Sequence, residues 1–240
     1  MSARVEGSAR VEGSARVEGS ARVEGSARVE GSARVEKSAR VEKSAETWAV
    51  VACGALSTEI SEISDRRGWP LKIYPLPPLL HNHPEKIAGS VRELLPDVIA
   101  AHQRVAIAYA DCGTYGALDG VVEEFKIPRL AGAHCYDVFA RPERFSEIMD
   151  EEPGTYYLTD FLVRSFHRSV IVELGLDRYP DLRPDYFAHY RRVLWLAQQP
   201  SDELHALALE AAAAISLPLE VEVVGTMGLE RQLAHLLRAN

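Results

Sequence analysis

From Thr47 onward, short apolar runs rich in β-formers alternate with longer amphipathic stretches. A chain patterned this way builds βα units around a mostly parallel, Rossmann-like α/β sheet with helices on both faces. Strands are expected at 48–52, 71–74, 104–110 and 129–131, then at 155–158, 192–197 and 219–224. Between them, a helix is expected over 57–67, capped by a Ser57 or Thr58 hydroxyl and stopped at Gly68. Pro75, Pro77 and Pro78 should forbid regular structure, and Pro84 suits the first turn of a helix carrying Ile87, Val91, Leu94 and Leu95, with Asn82 or His83 as its cap. Further helices are expected around Leu118 to Phe125, through Phe139 and Phe145, and over 161–174, 202–215 and 229–237. The break at Glu151-Glu152-Pro153-Gly154 makes 47–240 one α/β domain or two similar lobes, 47–152 and 153–240.

Residues 1–46 stand apart. Positions 2 to 43 are seven copies of a six-residue unit, five of Ser-Ala-Arg-Val-Glu-Gly and two ending in Lys37 and Lys43. A period of six sets successive valines about 240° apart on a helix, so no apolar stripe accumulates. As a strand, one Val and one Gly per unit bury too little to offset the ordering entropy. A low-complexity arm is expected, not a solenoid.

The arm carries seven Arg, two Lys and seven Glu, so the remainder holds about −10 of the net −8. Such an acidic surface disfavours nucleic acid. Small molecules or proteins are the better partners. The longest apolar runs are too short to span a bilayer and no signal peptide is visible at Met1, which points away from membranes and toward the cytoplasm. Three cysteines without paired spacing argue against a secreted disulfide scaffold.

Those cysteines carry the sharpest chemical signal. Cys53, Cys112 and Cys135 each stand where an expected strand runs out, and in an open parallel sheet the carboxyl ends of neighbouring strands line one crevice. A single such cysteine reads first as a small buried hydrophobe. Three together read as ligands of a metal or cluster. Zinc accepts three cysteines with a histidine or an open fourth position, and a four-iron cluster on three cysteines leaves one iron free. His81 and His134 occupy loops beyond strand ends and add imidazole donors, His134 as a ligand or as an outer hydrogen-bond donor; His83 serves equally well as a cap. Asp111 could orient a histidine, act as a base or cap its own turn. Gly113-Thr114-Tyr115-Gly116 before a helix resembles an anion cradle, making Gly113 and Thr114 cofactor-binding candidates. Thr159 and Asp160, after Tyr156-Tyr157-Leu158, sit where a ligand contact or a helix cap belongs. Tyr186 to Arg192 sets aromatics beside cations, either to clasp an acidic ligand edge or as an ordinary amphipathic face.

Six ordered segments, Cys53-Gly-Ala-Leu, Leu80 to Ile87, Tyr109 to Thr114, Gly132 to Tyr136, Gly154 to Leu162 and Leu174 to Asp177, resemble the uncharacterised family called domain of unknown function 1638, over nearly everything after Trp48. The resemblance implies a setting of corrinoid-dependent methyl transfer in one-carbon metabolism. On that footing the expected function is an accessory protein holding zinc or an iron-sulfur cluster on Cys53, Cys112 and Cys135, partnered by a corrinoid or methyltransferase protein. A non-catalytic binder of a corrinoid or of its methyltransferase, and a zinc-dependent methyltransferase acting on a thiol, are the alternatives. A hydrolase or lyase using Asp111 and His81 ranks last, since no nucleophile motif such as Gly-x-Ser-x-Gly is present.

Overall fold

A computed structural model describes residues 44–238, so the repetitive arm lies outside the described residues apart from Ser44, Ala45 and Glu46, which open the first strand. Among the described residues the chain forms two three-stranded parallel sheets and nine α-helices, the expected α/β class. The first sheet runs in the order β2-β1-β3, with β1 Ser44–Cys53, β2 Leu71–Leu76 and β3 His102–Ala108. Every residue of β1 from Trp48 to Cys53 is buried, because β1 is the central strand and both its faces are covered. Helix α1 (Ser57–Arg67) ends at Gly68, whose left-handed φ of 62° needs no Cβ. The Ser57 hydroxyl turns back to donate to the Gly54 carbonyl at 2.8 Å, so the expected hydroxyl cap of α1 is not made.

Two further expectations are corrected here. Strand β2 continues through Pro75, opposite Ala52, and a 3-10 turn follows at Pro78–Asn82. A proline is tolerated there because β2 is an edge strand. The expected strand at 129–131 shrinks to a single parallel bridge between Ile107 and Arg129. Helix α2 (Pro84–Ala101) starts on its proline as expected, and α3 (Ala117–Phe125), α4 (Cys135–Ala140) and α5 (Pro142–Glu151) complete the first half.

The second sheet runs β4-β5-β6, with β4 Thr155–Leu158, β5 Arg192–Ala197 and β6 Leu219–Val223. Helix α6 (Asp160–Phe166) widens into a π-helical turn at His167–Val172, and α7 (Arg183–Phe187) and α8 (Asp202–Ala214) follow. The last helix, α9 (Met227–Leu236), runs from the second half of the chain back to the first sheet. Its Leu229, Leu233 and Leu236 join the core of the first sheet beside Val138 and Phe139. Gly228 permits this return, since a Cβ there would run into the Val138 carbonyl oxygen. No described helix is long and apolar enough to cross a membrane.

Glu230 fastens α9 to α1: Arg66 donates to Glu230 Oε2 at 2.6 Å, and Arg67 Nε to Oε1 at 2.6 Å. These hydrogen bonds, Arg66 first, hold the Glu230 carboxyl below its usual pKa. A depressed folded-state pKa contributes stability above the unfolded carboxylate value and loses it as pH falls through the folded one. Glu230→Gln should therefore cost about 1 kcal/mol near neutral pH, a modest figure because both arginines are half exposed. Urea melts of the two proteins should converge as the solution is acidified below the ordinary glutamate pKa; an unchanged gap would contradict this role.

Candidate functional site

The chain leaves β1 toward β2 on one side and returns through α2 to β3 on the other, so the carboxyl ends of β1 and β3 part and leave a crevice. The second sheet is built in sequential order and has no such reversal among the described residues. Cys53 is the last residue of β1. The turn at Pro78–Asn82, reached from β2, brings His81 to it: Cys53 Sγ lies 3.6 Å from His81 Nδ1 and 3.8 Å from Nε2. Near-equal distances mean the sulfur faces the ring between its nitrogens instead of making one directed hydrogen bond. Gly54 makes this approach possible, because a Cβ there would meet the Leu76 carbonyl oxygen and come within 2.9 Å of Pro78 Cδ.

Beyond β3 the backbone keeps a β-like pairing past the Ile107–Arg129 bridge. Asp111 N donates to Gly132 O at 3.1 Å and Cys112 N to Ala133 O at 2.7 Å. Cys112 is thereby held beside Cys135, in a left-handed conformation with φ of 51°. Cys135 does not end a strand, as its sequence position suggested; it opens α4. The bridge at Arg129 is too short to count as a strand, yet it sets the 132–135 segment next to the end of β3.

The turn after Cys112 closes on itself. Asp111 accepts from Thr114 Oγ1 at 2.6 Å and from the amides of Tyr115 and Gly116, each at 3.0 Å. The amides expected to cradle a ligand anion are thus taken by the protein's own carboxylate, and Thr114 Oγ1 also accepts from Leu118 N at 3.3 Å. Burial would raise the Asp111 pKa, but the hydrogen bonds from Thr114, Gly116 and Tyr115 outweigh it and hold the carboxyl below its ordinary value. That is the signature of a cap, poorly matched to a base. Gly113, with φ of 82°, serves the turn's geometry.

The three thiols lie near one another, Cys53 buried and Cys112 and Cys135 half-buried. Burial, then repulsion from Cys112, pushes Cys53 up to about 12. Burial pushes Cys112 up to about 11, and it raises Cys135 well above the usual thiol value with further repulsion from Cys112 and Cys53. Burial also lowers the His81 pKa, so the imidazole is neutral. Tyr109, fully buried, stacks on His81 with ring centroids 6.2 Å apart, and its hydroxyl faces the Cys53 sulfur. Its pKa is raised by burial and then by that sulfur. Among the described residues no three His, Cys, Asp or Glu side chains already stand as a set that could hold an ion.

A cavity of about 390 Å³ opens from this point, with Cys112, Cys135, His81 and His134 on one wall and Tyr136, Tyr156, Tyr157 and Tyr190 among the others. His134 precedes α4, where the amides of Ala133 and His134 donate to Asp137 Oδ2 at 2.7 and 3.1 Å, and its ring stacks on Tyr136. Thr159 reaches the cavity and caps α6 by accepting from Leu162 N at 3.4 Å. Asp160 does not reach it. Its carboxylate is buried under β5, accepting from Trp195 Nε1 at 2.8 Å and from the amides of Gln198 and Gln199 at 3.0 and 2.8 Å. His83 pairs with Glu85 at 3.5 Å, away from the cavity, and Arg192 is tied to Glu220 and Thr155 and clasps nothing. Sequence reasoning missed Tyr109 and Tyr136. The signal available was their place, one just beyond β3 and the other adjoining Cys135.

The crevice at the ends of β1 and β3, with three thiols about it and a tyrosine-lined cavity beside it, is the candidate site of this α/β protein. The chain belongs to the family described as Protein of unknown function (DUF1638), which matches residues 75–233. That span takes in His81, Cys112, His134, Cys135 and the cavity tyrosines and leaves β1 with Cys53 ahead of it, a narrower reach than the likeness from Trp48 onward. Neither the curated proteins nor the solved structures gave a match to the chain.

Gly54→Ala should cost about 1–3 kcal/mol, since the added methyl forces the Pro78–Asn82 turn off the end of β1. Gly89→Ala, in open space on α2, should be neutral or stabilising by about 0.4–1 kcal/mol. Denaturant midpoints compare the two; equal midpoints would show that the close approach at Gly54 is not required.

Proposed function

We propose that this chain is a metal- or cluster-binding protein in which Cys53, Cys112 and Cys135 supply thiolate ligands, with His81 beside Cys53 as the imidazole donor. The observation that carries the proposal is that three thiols from three separate segments, Cys53 buried and Cys112 and Cys135 half-buried, lie near one another at one switch-point crevice. Setting three protonated thiols, one buried and two half-buried, beside a neutral imidazole and a buried tyrosine stores no obvious stability. A thiophilic cation gives the same residues a reason to be together, because coordination replaces their protons and cancels the charge that burial penalises. His81 taking the fourth position describes a closed zinc site; His81 withdrawn leaves a position facing the cavity, the arrangement of an open zinc or of a cluster with one free iron. Bound there, zinc would supply Lewis acidity toward a thiol acceptor, and a cluster would supply a path for electrons.

The accessory role in corrinoid-dependent methyl transfer rests on the family likeness. The cavity size refines it: a corrinoid is several times larger than about 390 Å³, so on this reading the corrinoid stays on a partner protein and only a small group enters. Free thiols suit a reducing compartment, and we place the protein in the cytoplasm. The competing reading, a binder without metal, is favoured by the absence of a ready ligand set among the described residues. Elemental analysis and an absorption spectrum of protein purified without oxygen separate the two. The expected result is near-stoichiometric zinc, or iron with acid-labile sulfide, lost in Cys112→Ser. Metal absent from anaerobic protein and not taken up on adding zinc, or iron with sulfide, would overturn the proposal.

A further inference from the structure

The cavity is lined by tyrosines as well as by Cys112 and Cys135. Its walls hold no aspartate, glutamate, lysine or arginine, although 26% of the chain is charged. Its polar lining comes from tyrosines, Asn82 and the hydroxyl residues Thr155, Thr159 and Ser169, beside the two thiols and two histidines. Tyr156 and Tyr190 meet at 5.2 Å with an interplanar angle of 78°, and Tyr136 packs on Tyr157 at 5.3 Å. The Tyr136 hydroxyl has only the Tyr157 carbonyl, at a long 3.5 Å.

We infer that this tyrosine-lined cavity binds an uncharged, ring-sized organic molecule bearing one hydrogen-bonding oxygen, such as an amide or an alcohol. A charged guest would shed its hydration and meet no countercharge, which disfavours anions and cations alike. An aromatic cage for a quaternary ammonium group needs free ring faces. Here the rings spend theirs on one another: Tyr156 packs against Phe166, Phe187 and Tyr190, and Tyr136 against His134 and Phe145. The size follows from the volume, since about 390 Å³ is the share of roughly a dozen waters at about 30 Å³ each. One face of the guest is set by the protein's own devices. Asn82 donates to the Ser169 carbonyl, freed by the π-helical turn, at 3.0 Å, joining the wall that carries His81 to the wall opposite.

This inference concerns the cavity and not the metal, and its test keeps the two apart. Benzamide, benzoate and benzyltrimethylammonium are titrated calorimetrically into the full chain, both as purified and after stripping with a chelator. Benzamide should bind in both preparations, with the two ions at least tenfold weaker. The double variant Tyr156→Phe/Tyr190→Phe, which keeps both rings, should weaken benzamide at least fivefold while its melting temperature without ligand stays close to that of the parent. Either ion binding as tightly as benzamide, no benzamide binding at millimolar concentration, or full affinity in the double variant would overturn the assignment.

Discussion

The crevice depends on β1 lying at the centre of a parallel sheet, hydrogen-bonded to β2 from Trp48 to Cys53 and to β3 from Trp48 to Ala52. That position fixes where Cys53 ends, forces the crossover through α2, and so creates the gap into which the segments after β2 and β3 turn. The 390 Å³ cavity and the thiol cluster are both consequences of this reversal in strand order. Gly54 then lets β1 finish against β2 closely enough for His81 to reach the Cys53 sulfur.

Much of this was legible in the residues. Strands β4 and β5 fall on 155–158 and 192–197 as expected, because each is a compact apolar run with turn-forming residues at its edges. Helix α1 stops at Gly68 for the reason its sequence announces. Other features follow from tertiary context that periodicity cannot see. An edge strand accepts Pro75 where a central one would not. The amphipathic pattern of α9 says that one face is buried but not against which sheet, and it packs on the first. The site divides the same way: strand-end placement picked out Cys53, Cys112 and His81, whereas the self-satisfied turn at Asp111 and the buried knot around Asp160 show only once the hydrogen bonds are traced. Cys135 arrived by a different route, on a helix start set beside β3 by a single bridge.

The chemistry of the crevice is one of neutrality. Thiols, imidazole and tyrosines are all driven to their uncharged forms by burial. Carboxylates near it, Asp111 and Asp137, are turned into the backbone as caps, and the cavity wall is left without ions. A site of this kind is poorly suited to hydrolysis by a carboxylate base. It suits soft donors waiting for a thiophilic partner and a small uncharged molecule beside them, and the two proposals meet in that single environment.

The central proposal is that three sulfurs distant in sequence close around one thiophilic atom when it binds. Trivalent arsenic, added as arsenite to the reduced, metal-stripped chain, bonds up to three thiolates at once, and mass spectrometry with thiol titration counts the outcome. The account predicts one arsenic per chain with all three cysteines lost to a thiol reagent together. Binding of no arsenic, or retention of all three titratable thiols after exposure, would show that Cys53, Cys112 and Cys135 do not converge.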